Sequence, residues 1–290
     1  MQIALHVGAH CTDDGKLAAT LLNNREDFLE RRVSVPPLRR YQVLLRESLH
    51  ALLDGPPAPE AHEILMDAIL QDDIADRVVL TNESFFGTHR MVMKEDQFYP
   101  MAEQRIVDLR QLFPTEEISL HMAIRDPGPF IAATHAASGA SMSEILDGTE
   151  PARLRWSDLI TRIRGVAPDM PITVWCSEDS PLIWPEIIRD MASLPVGEKI
   201  KGGFDLLKDI MSPEGMKRFR TYFKAHPVMA DHYKRRVMMV FLDKYAREEA
   251  IEDDVELPDW PAEIFDFISD AYEQDLDVIE AIPGVTLLSP

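Results

Sequence analysis

The chain has 290 residues, of which 46% are apolar, and this is enough for one large domain or two small ones with a substantial core. Fifty acidic and thirty basic side chains give a formal net charge of -20, which argues against a nucleic-acid-binding surface and against general attraction to anionic lipid. No apolar run is long enough for a membrane span and no signal-peptide pattern is present, so we expect a cytoplasmic protein without a transmembrane segment.

Four short runs rich in Val, Ile and Leu are typical of buried strands, and they cover residues 2–7, 77–81, 118–124 and 172–176. Between them, apolar residues recur at helical spacings of three and four, in residues 17–31, 38–53, 101–113 and 156–167. Alternating strands and helices predict a parallel sheet with helices on both faces, which is a three-layer α/β fold. The residues that follow each strand should meet in one crevice, namely residues 6–14, 82–86, 125–129 and 177–180.

The strand pattern stops near Leu194. The remaining chain predicts helices over residues 204–211, 213–225, 229–251 and 261–282, and a short final strand within 283–288. We therefore expect an α/β core over residues 1–195 and a helical C-terminal extension over residues 196–290, packed on the core.

The stretch from His6 to Leu17, HVGAHCTDDGKL, runs from an apolar strand through glycine into a helix, as phosphate-binding loops do. It is not a Walker A loop, because His10 stands where the first glycine belongs and Leu17 replaces the hydroxyl that binds magnesium. Gly8 and Gly15 do not have the spacing of a dinucleotide fingerprint either. An ATPase, a GTPase or a dinucleotide-binding protein is therefore not expected.

The same stretch resembles the start of bacterial sulfotransferases of the P-loop type. In that family a strand leads into His-x-Gly-x-x-Lys-Thr-Gly-Thr-Thr, and the following helix ends with an Asn-Arg pair. His6, Gly8 and Thr12 match the loop, and Asn24-Arg25 matches the pair. Cys11 replaces the family's lysine.

Asp13 and Asp14 replace a glycine and a threonine of that loop, so the cofactor motif is degenerate. The second strand end, Leu80-Thr-Asn-Glu83-Ser-Phe-Phe-Gly87, resembles the family segment that carries a glutamate at the acceptor site. The third, Arg125-Asp-Pro127, resembles an Arg-x-Pro element whose arginine holds a 3'-phosphate with a serine eight residues later. That position is Ala133 here, with Thr134 beside it.

The resemblance covers about two thirds of the chain and implies a P-loop-type fold. It implies sulfuryl transfer from 3'-phosphoadenosine 5'-phosphosulfate to a hydroxyl or amine acceptor, so that the partners would be a small-molecule nucleotide and an acceptor of unknown class. Glu83 would be the general base, and His6, at the end of the first strand, is a second candidate catalytic residue. The candidate cofactor-binding residues are Gly8, Ala9, His10, Cys11, Thr12, Arg125 and Thr134.

Other roles stand beside these. Glu83 can equally cap the loop that follows it, and Arg125 can pair with Asp126. Loss of the lysine supports an alternative, a non-catalytic protein that keeps the sulfotransferase fold and binds a protein or a small molecule. A third hypothesis is a hydrolytic or group-transfer enzyme built around His6, His10 and Asp14; no metal site is expected, because the two histidines span a strand and a loop and do not share a helix face.

Overall fold

The computed structural model describes residues 1–250 and 260–290. The strands are β1 (Gln2–His6), β2 (Val33–Ser34), β3 (Arg77–Thr81), β4 (Met93–Lys94), β5 (Gln97–Phe98), β6 (Glu117–Ile124), β7 (Ile172–Cys176) and β8 (Val285–Leu288). The helices are α1 (Lys16–Asn23), α2 (Arg25–Leu29), α3 (Gln42–Ala51), α4 (Ala61–Leu70), α5 (Ala102–Leu112), α6 (Pro127–Ser138), α7 (Met142–Leu146), α8 (Trp156–Val166), α9 (Ser180–Met191), α10 (Asp205–Ile210), α11 (Pro213–Ala225), α12 (Asp231–Tyr245) and α13 (Ala262–Glu280). None of these helices is long and apolar enough to cross a lipid bilayer.

Six strands form one parallel sheet in the order β2-β3-β1-β6-β7-β8, and β4 and β5 form a small antiparallel pair. Alternate residues of β1 face opposite layers, as the pleat of a strand requires. Ile3 and Leu5 belong to the apolar cluster that includes residues of α3 to α8, whereas Ala4 packs with Leu21 of α1 and Trp184 of α9. Helices therefore cover both faces of the sheet, and the predicted α/β class with its flanked parallel sheet is confirmed.

The four predicted strands correspond to β1, β3, β6 and β7, and the predicted final strand corresponds to β8. The predicted helix over residues 17–31 is interrupted at Asn24. The side-chain amide of Asn24 donates to the carbonyl of Thr20 (2.8 Å) and to that of Lys201 (2.9 Å), so this residue ends α1 and ties it to the segment after α9. The predicted helix over residues 229–251 is α12, and residue 251 lies outside the described residues.

The segment predicted as a C-terminal extension has two parts. Helices α10 to α12 share their own apolar cluster, which includes Met211, Phe219 and Met238. The last helix and strand return to the α/β core, since α13 contacts α6 and α8 and β8 pairs with β7.

The helices that follow β1 and its two neighbouring strands pack on opposite faces of the sheet. Helix α1, which follows β1, packs on one face of the sheet. Helix α5, which comes after β3 and the β4-β5 pair, and helix α6, which follows β6, pack on the other face. Neighbouring strands whose helices turn to opposite faces leave room at their carboxyl ends, and ligands of α/β proteins bind at such points. The loop after β1 lies at this position.

Candidate functional site

The backbone of the loop after β1 lies close to β6 on one side and to the segment after β3 on the other. Ala9 N–H donates to the carbonyl of Ala123 beyond the middle of β6 (2.8 Å), and Ala123 N–H donates to the carbonyl of Gly8 (2.8 Å). Gly8 has φ +112°, and a Cβ on it would lie 3.3 Å from the carbonyl oxygen of Glu83. Glycine is therefore needed where the loop passes the end of β3.

Three strand ends meet around this loop, as the parallel topology predicted. Arg125, just after β6, donates from Nη1 to the carbonyl of Cys11 at 2.7 Å. Ser177, just after β7, donates from Oγ to the carbonyl of Thr12 at 2.9 Å. These hydrogen bonds hold the loop through its backbone carbonyls, and Ser177 lies in the range 177–180 that was predicted to meet the loop, although no specific role was predicted for it.

The start of α1 carries an anion supplied by the chain itself. Leu17 N–H donates to Oδ2 of Asp13 at 2.5 Å, and Lys16 N–H donates to the backbone carbonyl of Asp13 at 2.9 Å. Burial raises the pKa of Asp13, while its hydrogen bonds with the N–H groups of Leu17 and Gly15 act in the opposite direction. An anion at a helix start is favourable, and here a carboxylate takes the position that a ligand phosphate takes in a phosphate-binding loop.

His10 is buried against Tyr99. Its backbone N–H donates to the Tyr99 hydroxyl at 3.1 Å, and its Nδ1 lies 2.9 Å from the same hydroxyl oxygen. Burial, and next the nearby His89, lower the pKa of His10 to about 4, so the ring is neutral at pH 7. No pattern in the sequence relates Tyr99 to this loop, since it follows the short β4-β5 hairpin 89 positions along the chain.

Cys11 is half-buried, with φ +56°, in a region of backbone conformation that residues other than glycine adopt uncommonly. Burial and the charge of Glu83 raise the pKa of the Cys11 thiol, whereas Arg125 and the hydroxyl of Thr134 lower it. The net shift is upward, so Cys11 is a thiol at neutral pH. Thr134 is fully buried beside it, which brings these two predicted cofactor-binding residues together.

Glu83 has an exposed side chain at the same edge of the sheet. Partial burial, followed by the charges of Asp13 and Asp14, raises the pKa of Glu83, and His89 acts in the opposite direction. A raised pKa makes this carboxylate a stronger proton acceptor than an ordinary glutamate. The same interactions show that three carboxyl groups lie within electrostatic range of one another, so this edge is acidic.

His6 lies away from the exposed edge. It is 4% exposed, and its ring stacks on Trp175 with 6.0 Å between ring centroids. Burial, and next the nearby His121, lower the pKa of His6 to about 3, so the ring is neutral at pH 7. Its environment is an interior one, whereas Glu83 is open to solvent.

A cluster of hydrogen-bonded side chains connects the carboxyl edge of the sheet to α13. Asp126 accepts from Gly128 N–H at 2.9 Å and from the Ser269 hydroxyl at 2.5 Å, so it both caps α6 and binds α13. Glu178 accepts from Asp126 N–H at 2.8 Å and from the Tyr272 hydroxyl at 3.4 Å. The sequence predicted that the segments of Asp126 and Glu178 would meet, but not that Ser269 and Tyr272 would join them, because the contribution of α13 depends on the chain returning to the core.

The groups around the start of α1 do not fit a phosphosulfate as they are arranged. Cys11 brings no positive charge, and Asp13 places a carboxylate at the helix start. The N–H groups of Ala9 and His10 donate to protein acceptors. Lys16, the lysine nearest the loop in sequence, pairs with Asp209 of α10 at 2.9 Å.

Within residues 1–250 and 260–290, no group of three or more His, Cys, Asp or Glu side chains is arranged to hold a metal ion. No protein-family model matches the chain, and a search of curated proteins found no match. The resemblance to sulfotransferases thus rests on the motifs alone and stays a prediction.

Proposed function

We propose that this chain is a non-catalytic binding protein built on a sulfotransferase-like α/β scaffold. The observation that carries the proposal is the hydrogen bond from Leu17 N–H to Oδ2 of Asp13, 2.5 Å long. In a phosphate-binding loop the N–H groups at this helix start face the ligand. Here they face the chain's own carboxylate, and the loop has no lysine to offset it.

The charges near the loop support the same conclusion. The carboxyl groups of Asp13, Asp14 and Glu83 lie within electrostatic range of one another, and the charges of Asp13 and Asp14 raise the pKa of Glu83. A nucleotide with several phosphate charges would be repelled by them. Loss of one charged donor at a transition state costs about 3 to 4 kcal/mol by analogy with oxyanion-site deletions, and the loop has lost such a donor at Cys11.

Calorimetric titration with 3'-phosphoadenosine 5'-phosphate tests this proposal. We expect no detectable binding at millimolar nucleotide. Micromolar binding that Arg125→Ala weakens at least tenfold would overturn it. Arg153→Ala is the matched control, because Arg153 is a surface arginine paired with Asp96 and Glu150.

Sulfuryl transfer is the second candidate, and the raised pKa of Glu83 favours it. In that case Glu83 would accept the proton of an acceptor hydroxyl at the carboxyl edge. Incubation with radiolabelled 3'-phosphoadenosine 5'-phosphosulfate and a panel of phenols, sugars and amines measures it directly. Labelled product that disappears with Glu83→Gln would establish this candidate, and absence of label in every acceptor would count against it.

A further inference from the structure

The basic residues of this acidic protein are concentrated in its C-terminal helices. Residues 198–247 contain 12 Lys or Arg and 6 Asp or Glu, in a chain whose formal net charge is -20. An anionic ligand would therefore meet a favourable local field here, in contrast to the carboxyl edge of the sheet.

A cavity of about 620 Å³ lies between α9, α11 and α12 in this region. Its accessible apolar wall is formed by Leu182, Phe204 and Phe223, and the buried side chains of Phe219 and Met238 complete the lining. The rings of Phe219 and Phe223 are 4.4 Å apart between centroids, and Phe204 meets both at 5.2 and 5.3 Å. The volume is in the range that encloses small ligands, and the wall offers apolar contact.

The acidic side chains of this cavity are already paired. Asp231 accepts from Arg189 at 2.8 Å and from Lys234 at 2.7 Å. Glu186 accepts from Arg235 at 2.7 Å. Glu198, the third, pairs with Arg31 at 2.8 Å.

Three basic residues of the cavity lack such partners. Lys199, Arg220 and Lys224 line it, and their side chains are exposed. In the described part of the chain none of them forms an ion pair. The cavity therefore combines an aromatic wall with positive charge that the protein does not neutralise.

We propose that this cavity binds an amphipathic carboxylate, with its acyl or aromatic body against the phenylalanine wall and its carboxylate at Arg220 and Lys224. Arginine and lysine form charge-assisted hydrogen bonds with carboxylates, and the wall removes apolar surface from water. The inference gives a ligand class to the binding role proposed above and rests on that role. The site itself is separate from the loop after β1.

Calorimetry with dodecanoate, below its micelle concentration, tests the inference on the whole chain. Dodecyltrimethylammonium, which has the same chain length and the opposite charge, is the matched ligand. We expect dodecanoate to bind at least tenfold more tightly than the cation. Equal binding of the two, or no binding of dodecanoate, would overturn the inference even if no variant could be purified.

The double variant Arg220→Glu, Lys224→Glu should weaken dodecanoate binding at least tenfold. The control is the double variant Arg218→Glu, Lys244→Glu, which makes the same change in charge on α11 and α12 at side chains outside this cavity. It should bind dodecanoate as the wild type does. Equal weakening by both pairs would show a general charge effect and refute the site.

The two titrations separate the two proposals. Binding of 3'-phosphoadenosine 5'-phosphate overturns the non-catalytic function and leaves the dodecanoate result to decide the cavity. Failure of dodecanoate to bind, with no nucleotide binding either, refutes the cavity inference alone.

Discussion

Asp13 stabilises the start of α1 from within the chain. Its Oδ2 accepts from Leu17 N–H, and its backbone carbonyl accepts from Lys16 N–H. Gly15 precedes the helix with φ +74° and offers no side-chain cap of its own. The carboxylate of Asp13 is thus the side chain that accepts a hydrogen bond from the first turn of α1.

Removing that acceptor should destabilise the fold. We expect Asp13→Ala to lower the free energy of unfolding by about 1 kcal/mol, the usual cost of losing a capping side chain. Asp13→Asn keeps an oxygen acceptor and removes a charge that burial disfavours, so it should stay closer to the wild type. Urea denaturation measures both variants, and an equal loss in the two would contradict the capping role.

The buried histidines make stability depend on pH. Burial lowers the pKa of His6 to about 3, so between pH 6.5 and 3 the unfolded chain binds a proton at His6 that the folded chain does not. Stability contributed by neutral His6 is therefore present above pH 6.5 and falls as the pH is lowered. His10, with a pKa of about 4, acts in the same direction.

We expect His6→Gln to reduce the loss of unfolding free energy between pH 7 and pH 5 by about 2 kcal/mol relative to the wild type. Comparing the free energy of unfolding at the two pH values separates the effect of protonation from any packing change, because a packing change alters both values equally. His50→Gln, the same substitution at an exposed histidine of α3, is the matched control. A His6→Gln variant with unchanged acid sensitivity would show that His6 is not kept neutral by the fold.

The connection between β1 and α1 depends on close approach of its backbone to the segment after β3. A Cβ on Gly8 would lie 3.2 Å from His10 N and 3.3 Å from the Glu83 carbonyl oxygen, whereas one on Gly15 would meet no atom within 4 Å. Both glycines have positive φ, so both resist substitution, but only Gly8 is also crowded.

We therefore expect Gly15→Ala to cost about 1 kcal/mol of unfolding free energy, and Gly8→Ala to cost more by at least about 1 kcal/mol. Thermal and urea unfolding measure the pair. Equal costs would mean that the loop shifts away from β3 without penalty.

The sequence predicts the sheet elements well because their signals are local. Apolar runs marked four strands of the core, and parallel topology then predicted that residues after them would meet, as Arg125 and Cys11 do. The partners that close the loop come from distant parts of the chain. Ser177 lies in one of the ranges predicted to meet, and it does contact the loop, whereas Tyr99 contacts it through tertiary packing that residue spacing does not encode.

The last helix, α13, is packed into the α/β core. Ser157 N–H, at the start of α8, donates to Oδ2 of Asp275 on α13 at 3.0 Å, and the Ser157 hydroxyl donates to Oδ1. Asp275 is 3% exposed. A buried carboxylate thus caps one helix from another that lies 118 positions later.

We expect Asp275→Ala to lower the free energy of unfolding by about 2 kcal/mol or more, because two buried donors lose their acceptor. Asp277→Ala, two positions along the same helix on its exposed side, should have an effect within about 0.5 kcal/mol of zero. Tryptophan fluorescence follows unfolding of the core through Trp156 and Trp175, both buried. An Asp275→Ala transition that matched the wild type would show that α13 unfolds separately.

The internal anion at α1 also limits how this loop could acquire nucleotide affinity. Cys11→Lys alone would introduce a cation beside Glu83 and Asp14 while the Asp13 carboxylate still occupies the helix start, so internal ion pairs would compete with the ligand. Asp13→Gly alone would uncap α1 without adding a cation. Each step is unproductive by itself, so a gain of affinity should appear only in the double variant, and the two positions should show strong positive coupling in a double-mutant cycle.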